Sequence, residues 1–137
     1  MKHIMLLFGV IICITLECNS QSMPGGISDM DVNDPKLIPI VSFSEEMLDS
    51  SVNSIYVHRI DHLLKAQQQV VSGDMYYLTF EFNETNCLKG KPSTNGCDSV
   101  RKSEICLVKV WSRPWLSTNQ LQLTHFNCSS TNNTDNL

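Results

Sequence analysis

The stretch DMYYLTFEF, residues 74–82, alternates without a break. Tyr76, Leu78, Phe80 and Phe82 fall on one side; Met75, Tyr77, Thr79 and Glu81 fall on the other. Successive side chains of an extended chain point to opposite faces, so this pattern is that of a half-buried β-strand. Such a strand needs neighbours to pair with and a second layer to cover its apolar face. ICLVKVW, residues 105–111, and LQLTHF, residues 121–126, read as further strands. Residues 56–69 also lean toward strand, with Ile60, Leu64 and Ala66 alternating. Leu63 and the glutamine run blur that period.

The covering layer has one candidate. Leu37, Ile40, Val41, Met47, Leu48 and Val52 recur at helical spacing, with Ser44 and Ser51 completing the stripe. Pro39 is tolerated only in a first turn, which places the helix start near Ile38. Around these elements lie an extended or mobile arm over 21–36, a loop rich in Gly, Pro, Ser and Asn over 87–103, and a polar tail over 129–137. Strands joined by short turns form antiparallel sheets. The expected architecture is therefore α+β: one helix packed across a twisted antiparallel sheet of four to five strands. A chain of 137 residues suits one such domain.

The first twenty residues stand outside it. Lys2 precedes an apolar run from Ile4 to Leu16, with small residues Cys18 and Ser20 at a cleavage site after Ser20. That is the composition of a secretory signal peptide, and the run is too short to span a bilayer. The mature domain is then 21–137, and no membrane association is expected after removal. Cys13 and Cys18 leave with the leader. Cys87, Cys97, Cys106 and Cys128 remain, and an even number in a secreted chain implies disulfides with three connectivities open. Sequential pairing, Cys87–Cys97 and Cys106–Cys128, would close two short loops. Without a C-x-x-C pair the four cysteines argue against a metal site, and neither a cofactor nor a metal is expected. Secretion also makes acceptor triplets of Asn83, Asn127 and Asn132 for N-glycosylation, Asn127 being flanked by a disulfide cysteine. The net charge of −4 gives no electrostatic case for a nucleic-acid partner.

Two turns break the usual rule that tips are polar. Val70 and Val71 lead into Ser72-Gly73, and Pro114 is followed by Trp115 and Leu116. A single such turn would be read as core folding back. Two apolar tips in one small domain point to a binding edge, provided both lie at the same end of the sheet.

These residues carry a resemblance. Gln69-Val70-Val71-Ser72-Gly73 matches the Q-x-V-x-G loop of the cystatins, Pro114-Trp115 matches their second-hairpin Pro-Trp, and Gly25-Gly26 matches the glycine of their N-terminal trunk. The order of glycine, helix, first loop and four cysteines, with Pro-Trp between the last two, resembles that of the secreted, family 2 cystatins over residues 21–128. The resemblance implies reversible, tight-binding inhibition of papain-like cysteine proteases of the cathepsin type; a secreted monomer is the expected state, with domain swapping through the first hairpin loop as the alternative. Gly25, Gln69, Val70, Val71, Ser72, Gly73, Pro114 and Trp115 would form a wedge filling the protease cleft, with Met23 and Pro24 in the non-primed subsites. Pro24 directly before the glycine departs from the family's trunk. The resemblance also offers Asn53 as a legumain-binding residue in the loop after the helix, though it lacks the leading serine and is equally placed to cap the helix end.

The remaining candidates are bland. His58 and His62 lie four apart with Asp61 between, but on a strand and with no third ligand at good spacing, so both are expected to be structural surface histidines, as is His125. Gly25-Gly26 lacks the lysine and preceding strand of a phosphate loop. No nucleophile–base set is present to support an enzyme.

Overall fold

The structure, a computed structural model, describes residues 25–91 and 96–131. The leader over 1–20, Met23, Pro24 and Asn132 lie outside the described residues. Five strands and one helix follow in the order β1 (Ile27–Met30), α1 (Leu37–Ser51), β2 (Tyr56–Val71), β3 (Gly73–Leu88), β4 (Val100–Ser112) and β5 (Leu121–Ser130). All strand pairs are antiparallel, and the sheet order is the sequence order.

The alternation in β3 sets the core. Tyr76, Leu78, Phe80 and Phe82 are buried on one face with Val108, Val110 and Cys106 of β4 beside them and Ala66 of β2. Leu37, Ile40, Ser44 and Leu48 of α1 close the same core from above. Ser44 is tolerated there because its hydroxyl donates to the carbonyl of Ile40 at 2.8 Å, leaving no unpaired polar atom. Pro39 sits in the first turn, where its missing N–H has no partner to lose.

One expectation is sharpened and two need correction. The arm over 21–36 holds strand β1, which pairs with β2 in the register Ile27↔Gln69 to Met30↔Ala66. Its lack of an apolar period follows from being an edge strand with little buried surface. The loop over 87–103 is shorter, because β3 runs through Leu88 and β4 begins at Val100. The tail over 129–137 likewise starts later, since Ser129 and Ser130 pair with Ile105 and Glu104. In each case polar residues continue a ladder whose hydrogen bonds come from the backbone and leave no mark on side-chain pattern.

The blurred period of β2 also has a cause. Ile60 opposes Phe82 and Leu63 opposes Phe80, so Asp61 and His62 together face the single residue Glu81. A second extra residue, Leu64, follows before Lys65 opposes Thr79. These bulges bring Ile60 and Leu63, three apart, onto the core, which a simple alternation forbids.

His58 is not at the surface. It is 7% exposed, stacked on Phe82 with centroids 5.2 Å apart, and its Nδ1 lies 3.1 Å from Asp49 Oδ1 while its Nε2 lies 3.5 Å from Glu84 Oε2. Asp49 Oδ1 also accepts the His58 backbone N–H at 2.8 Å and lies 3.2 Å from Lys89 Nζ. The Lys89 ammonium donates to the backbone carbonyl of Asp49 as well, so it caps the helix C-terminus. This network ties the end of α1 to β2 and β3. Asp49→Ala would strand the buried donors of His58 and the half-buried ammonium of Lys89. It is expected to cost about 1–3 kcal/mol, read as a lower urea midpoint at unchanged slope.

Candidate functional site

Antiparallel order places three segments at one end of the sheet. The β2–β3 turn closes at Val71↔Gly73, the β4–β5 hairpin opens from Ser112↔Leu121, and the chain enters β1 beside Gln69. Gly25, Val70, Val71, Gly73, Pro114 and Trp115 are thereby brought to a common edge.

The first turn needs its glycine twice over. Gly73 has φ +88°, a left-handed conformation that side-chain-bearing residues rarely adopt. A Cβ there would also stand 2.2 Å from the carbonyl oxygen of Ser112 and 3.0 Å from the Trp115 ring. The turn is therefore pressed against the second hairpin. Trp111 fixes that contact from the other side, its indole Nε1 donating to the carbonyl of Ser72 at 2.8 Å. The Arg113 guanidinium covers the Trp111 ring at 4.7 Å. Trp111 was expected only as a strand residue. The sequence signal that could have marked it is a second indole four residues before Trp115.

The second hairpin is held by its own hydrogen bonds. Arg113 N–H donates to Gln120 O at 2.7 Å, Leu116 N–H to Arg113 O at 3.1 Å, and Gln120 Nε2 to Leu116 O at 2.9 Å. Leu116 is half-buried, so its side chain supports the tip, while Pro114 and Trp115 project.

Gln69 joins the trunk to the turn. Its Nε2 donates to the Gly25 carbonyl at 2.8 Å, and its Oε1 accepts from the Tyr77 hydroxyl at 2.8 Å. Gly25 takes φ +89° at this point. The glutamine run that obscured the strand period has a use in each member. Gln67 Nε2 bonds Asp29 of β1, and Gln68 Nε2 bonds Asp74 across the hairpin, each at 2.8 Å. Burial first, then the carboxylates of Asp74 and Asp34, holds the Tyr76 phenol above its ordinary range, so it stays neutral behind the turn. Gln69→Ala removes both bonds of the bridge. Amide exchange at Ile27 and Ser28 is expected to quicken about tenfold, in line with two net bonds of roughly 0.5–1 kcal/mol each.

The edge is apolar and uncovered. Val70 is 63% exposed, Trp115 57%, Ile27 52% and Val71 42%. Valines and an indole held in water by hydrogen-bonded turns form a preorganised contact surface. No thiol nucleophile remains among the described residues, since Cys87 is bonded to Cys97 and Cys106 to Cys128. This is the sequential one of the three connectivities.

The other candidates lie elsewhere. Asn53 is exposed beyond the end of α1, at the far end of the sheet from the turns, and capping of the helix falls to Lys89 instead. Asn83 is 6% exposed in β3, and Thr85 of its triplet is 3% exposed with its hydroxyl donating to Val57 O. Asn127 is exposed on the edge strand β5.

Comparison with known proteins agrees with the geometry. The Cystatin domain family model matches residues 25–115, from the trunk glycine to the hairpin tryptophan. Cystatin-1 of Crotalus adamanteus is 38% identical over 119 residues, covering 79% of this chain and 84% of that one. A cystatin of Pseudonaja textilis is 34% identical over 130 residues, covering 87% and 91%. The crystal structure of Al-CPI superposes with a TM-score of 0.66 at 27% identity, over 77% of this chain and all of that one. The chain belongs to the cystatin family, whose members are inhibitors and not enzymes.

Proposed function

We propose that this protein is a secreted, monomeric, reversible inhibitor of papain-like cysteine proteases of the cathepsin type, and that the edge formed by Gly25, Gln69 to Gly73, Pro114 and Trp115 enters the protease cleft. The observation that carries this reading is the contact of the Trp115 ring on Gly73, which makes two apolar turns one rigid wedge. A rigid wedge loses little conformational freedom on binding, so most of its apolar contact appears as affinity. With all four described cysteines in disulfides, the wedge works by occupancy and forms no bond to the protease thiol. The disulfides and the leader composition both favour an oxidising, extracellular setting.

The test is titration of active papain with folded 21–137 protein. Activity falls linearly to zero near one-to-one stoichiometry under this reading. Full activity at micromolar excess of folded protein contradicts it and leaves a cystatin-fold protein used only for binding. Asn53 supports a second activity. Its exposure at the opposite end of the sheet would let legumain bind independently of the cleft wedge. Asn53→Ala is then expected to abolish legumain inhibition and leave papain inhibition intact.

Glycan attachment divides along the same lines of exposure. Asn127 is proposed as an acceptor, whereas Asn83 lies inside the fold. Peptide mapping after glycosidase treatment in oxygen-18 water is expected to mark Asn127 and to leave the Asn83 peptide unmodified.

A further inference from the structure

The bulge in β2 does something the wedge does not require. Where Asp61 and His62 both oppose Glu81, three donor side chains meet at the surface of the sheet, far along β2 from the first turn. His62 Nδ1 lies 2.9 Å from Asp61 Oδ2 and 3.6 Å from Glu81 Oε2, and the three donor atoms all fall within 4.8 Å of one another. Zinc bonds to imidazole nitrogen and carboxylate oxygen are about 2.0–2.2 Å long, so tetrahedral ligands stand roughly 3.3 Å apart. The two distances from His62 bracket that value. Sequence spacing could not show this group, because the bulge, which no pattern shows, brings Glu81 of the next strand into reach of His62.

A second observation adjoins the first. Asp61 also lines a cavity of about 510 Å³ walled by Arg59, Asn83, Thr85 and Cys97. The cavity leaves room for water beside Asp61, the one of the three ligands that lines it, and a metal held by three protein ligands takes water as its fourth. Charge points the same way. Asp61 and Glu81 are both carboxylates, and His62 is their only ion-pair neighbour among the described residues. Arg59, the nearest guanidinium in sequence, is turned to Glu45 at 3.7 Å.

We propose that Asp61, His62 and Glu81 form a zinc site that clamps β2 to β3 at the bulge. One nitrogen and two oxygens suit zinc better than calcium or magnesium, which prefer all-oxygen shells. The clamp bridges the two strands that carry the first turn, at the place where their ladder is broken. Its effect is on the scaffold, and it holds whether or not the edge inhibits a protease.

The test is calorimetric titration of tag-free, folded protein with Zn²⁺, and separately with Mg²⁺. Wild type is expected to take up one Zn²⁺ per chain at micromolar affinity and no Mg²⁺. His62→Ala and Glu81→Gln are each expected to weaken uptake at least tenfold, whereas His125→Ala, at an exposed histidine on β5, leaves it unchanged. Excess Zn²⁺ at about 100 times the dissociation constant should raise the thermal midpoint by roughly 5–10 °C in wild type and not in His62→Ala. All three positions are surface-exposed or nearly so, and metal-free unfolding midpoints show that the variants fold. Absence of saturable uptake, or uptake that survives His62→Ala or is lost in His125→Ala, overturns the proposal and leaves an ordinary histidine–carboxylate ion pair.

Discussion

Gly73→Val is expected to weaken papain inhibition about a thousandfold, equivalent to ~4 kcal/mol, in a protein that still folds. Two effects combine. The left-handed backbone at φ +88° strains any β-branched residue by about 1–2 kcal/mol. The added Cβ would overlap the Ser112 carbonyl at 2.2 Å and press on the Trp115 ring. Backbone cannot yield as a flexible side chain can, so the turn moves off the second hairpin. Both tips are then displaced together, including the Trp111 bond to Ser72. The fold survives because the core strands and α1 are not touched by this end. Inhibition constants and thermal midpoints measured side by side check the claim. A loss of inhibition no larger than the loss of stability would show that the two hairpins do not act as one surface.

Trp115→Ala is expected to cost about a hundredfold in inhibition, or ~2.7 kcal/mol, while changing stability by less than about 0.5 kcal/mol. The indole is 57% exposed and its covered part rests on the first turn, outside the core, so truncation loses contact at the tips and leaves the core packed. What it loses is a large, rigid contact held in place by the hairpin's own hydrogen bonds. The contrast with Gly73→Val is informative. Gly73 acts through shape and lowers stability as well; Trp115 acts through contact and does not. A stability loss of several kcal/mol in Trp115→Ala would mean that the ring is core, the reading that a lone tryptophan at a turn would ordinarily receive.

Much of this was legible before any coordinates. The alternation over 74–82 and the single helical stripe gave the two layers, because both follow from burial, and burial acts on side-chain type. The apolar tips were legible for the opposite reason: valine and tryptophan at turns contradict burial and so demand another cause. What stayed hidden was whatever backbone geometry decides. The edge strand Ile27–Met30 is held by ladder bonds and by Gln67 and Gln69, none of which produces a period. The bulges that bring Ile60 and Leu63 to one face cannot be seen in β2 alone, since they are defined by the partner strand. His58 read as a surface histidine because its partners, Asp49 and Glu84, come from different elements, 9 and 26 residues away in sequence. Residue type alone also could not reveal that Lys89, far from α1 in the chain, caps its end.

The central claim is that three separate segments enter one protease cleft as a single wedge. Hydrogen-exchange mass spectrometry of the folded protein, free and bound to papain, reads this directly. The account predicts slowed exchange in peptides covering residues 25–28, 69–74 and 113–117 together, with residues 47–55 at the far end unchanged. Protection confined to one of those segments, or centred on the helix end, would contradict it.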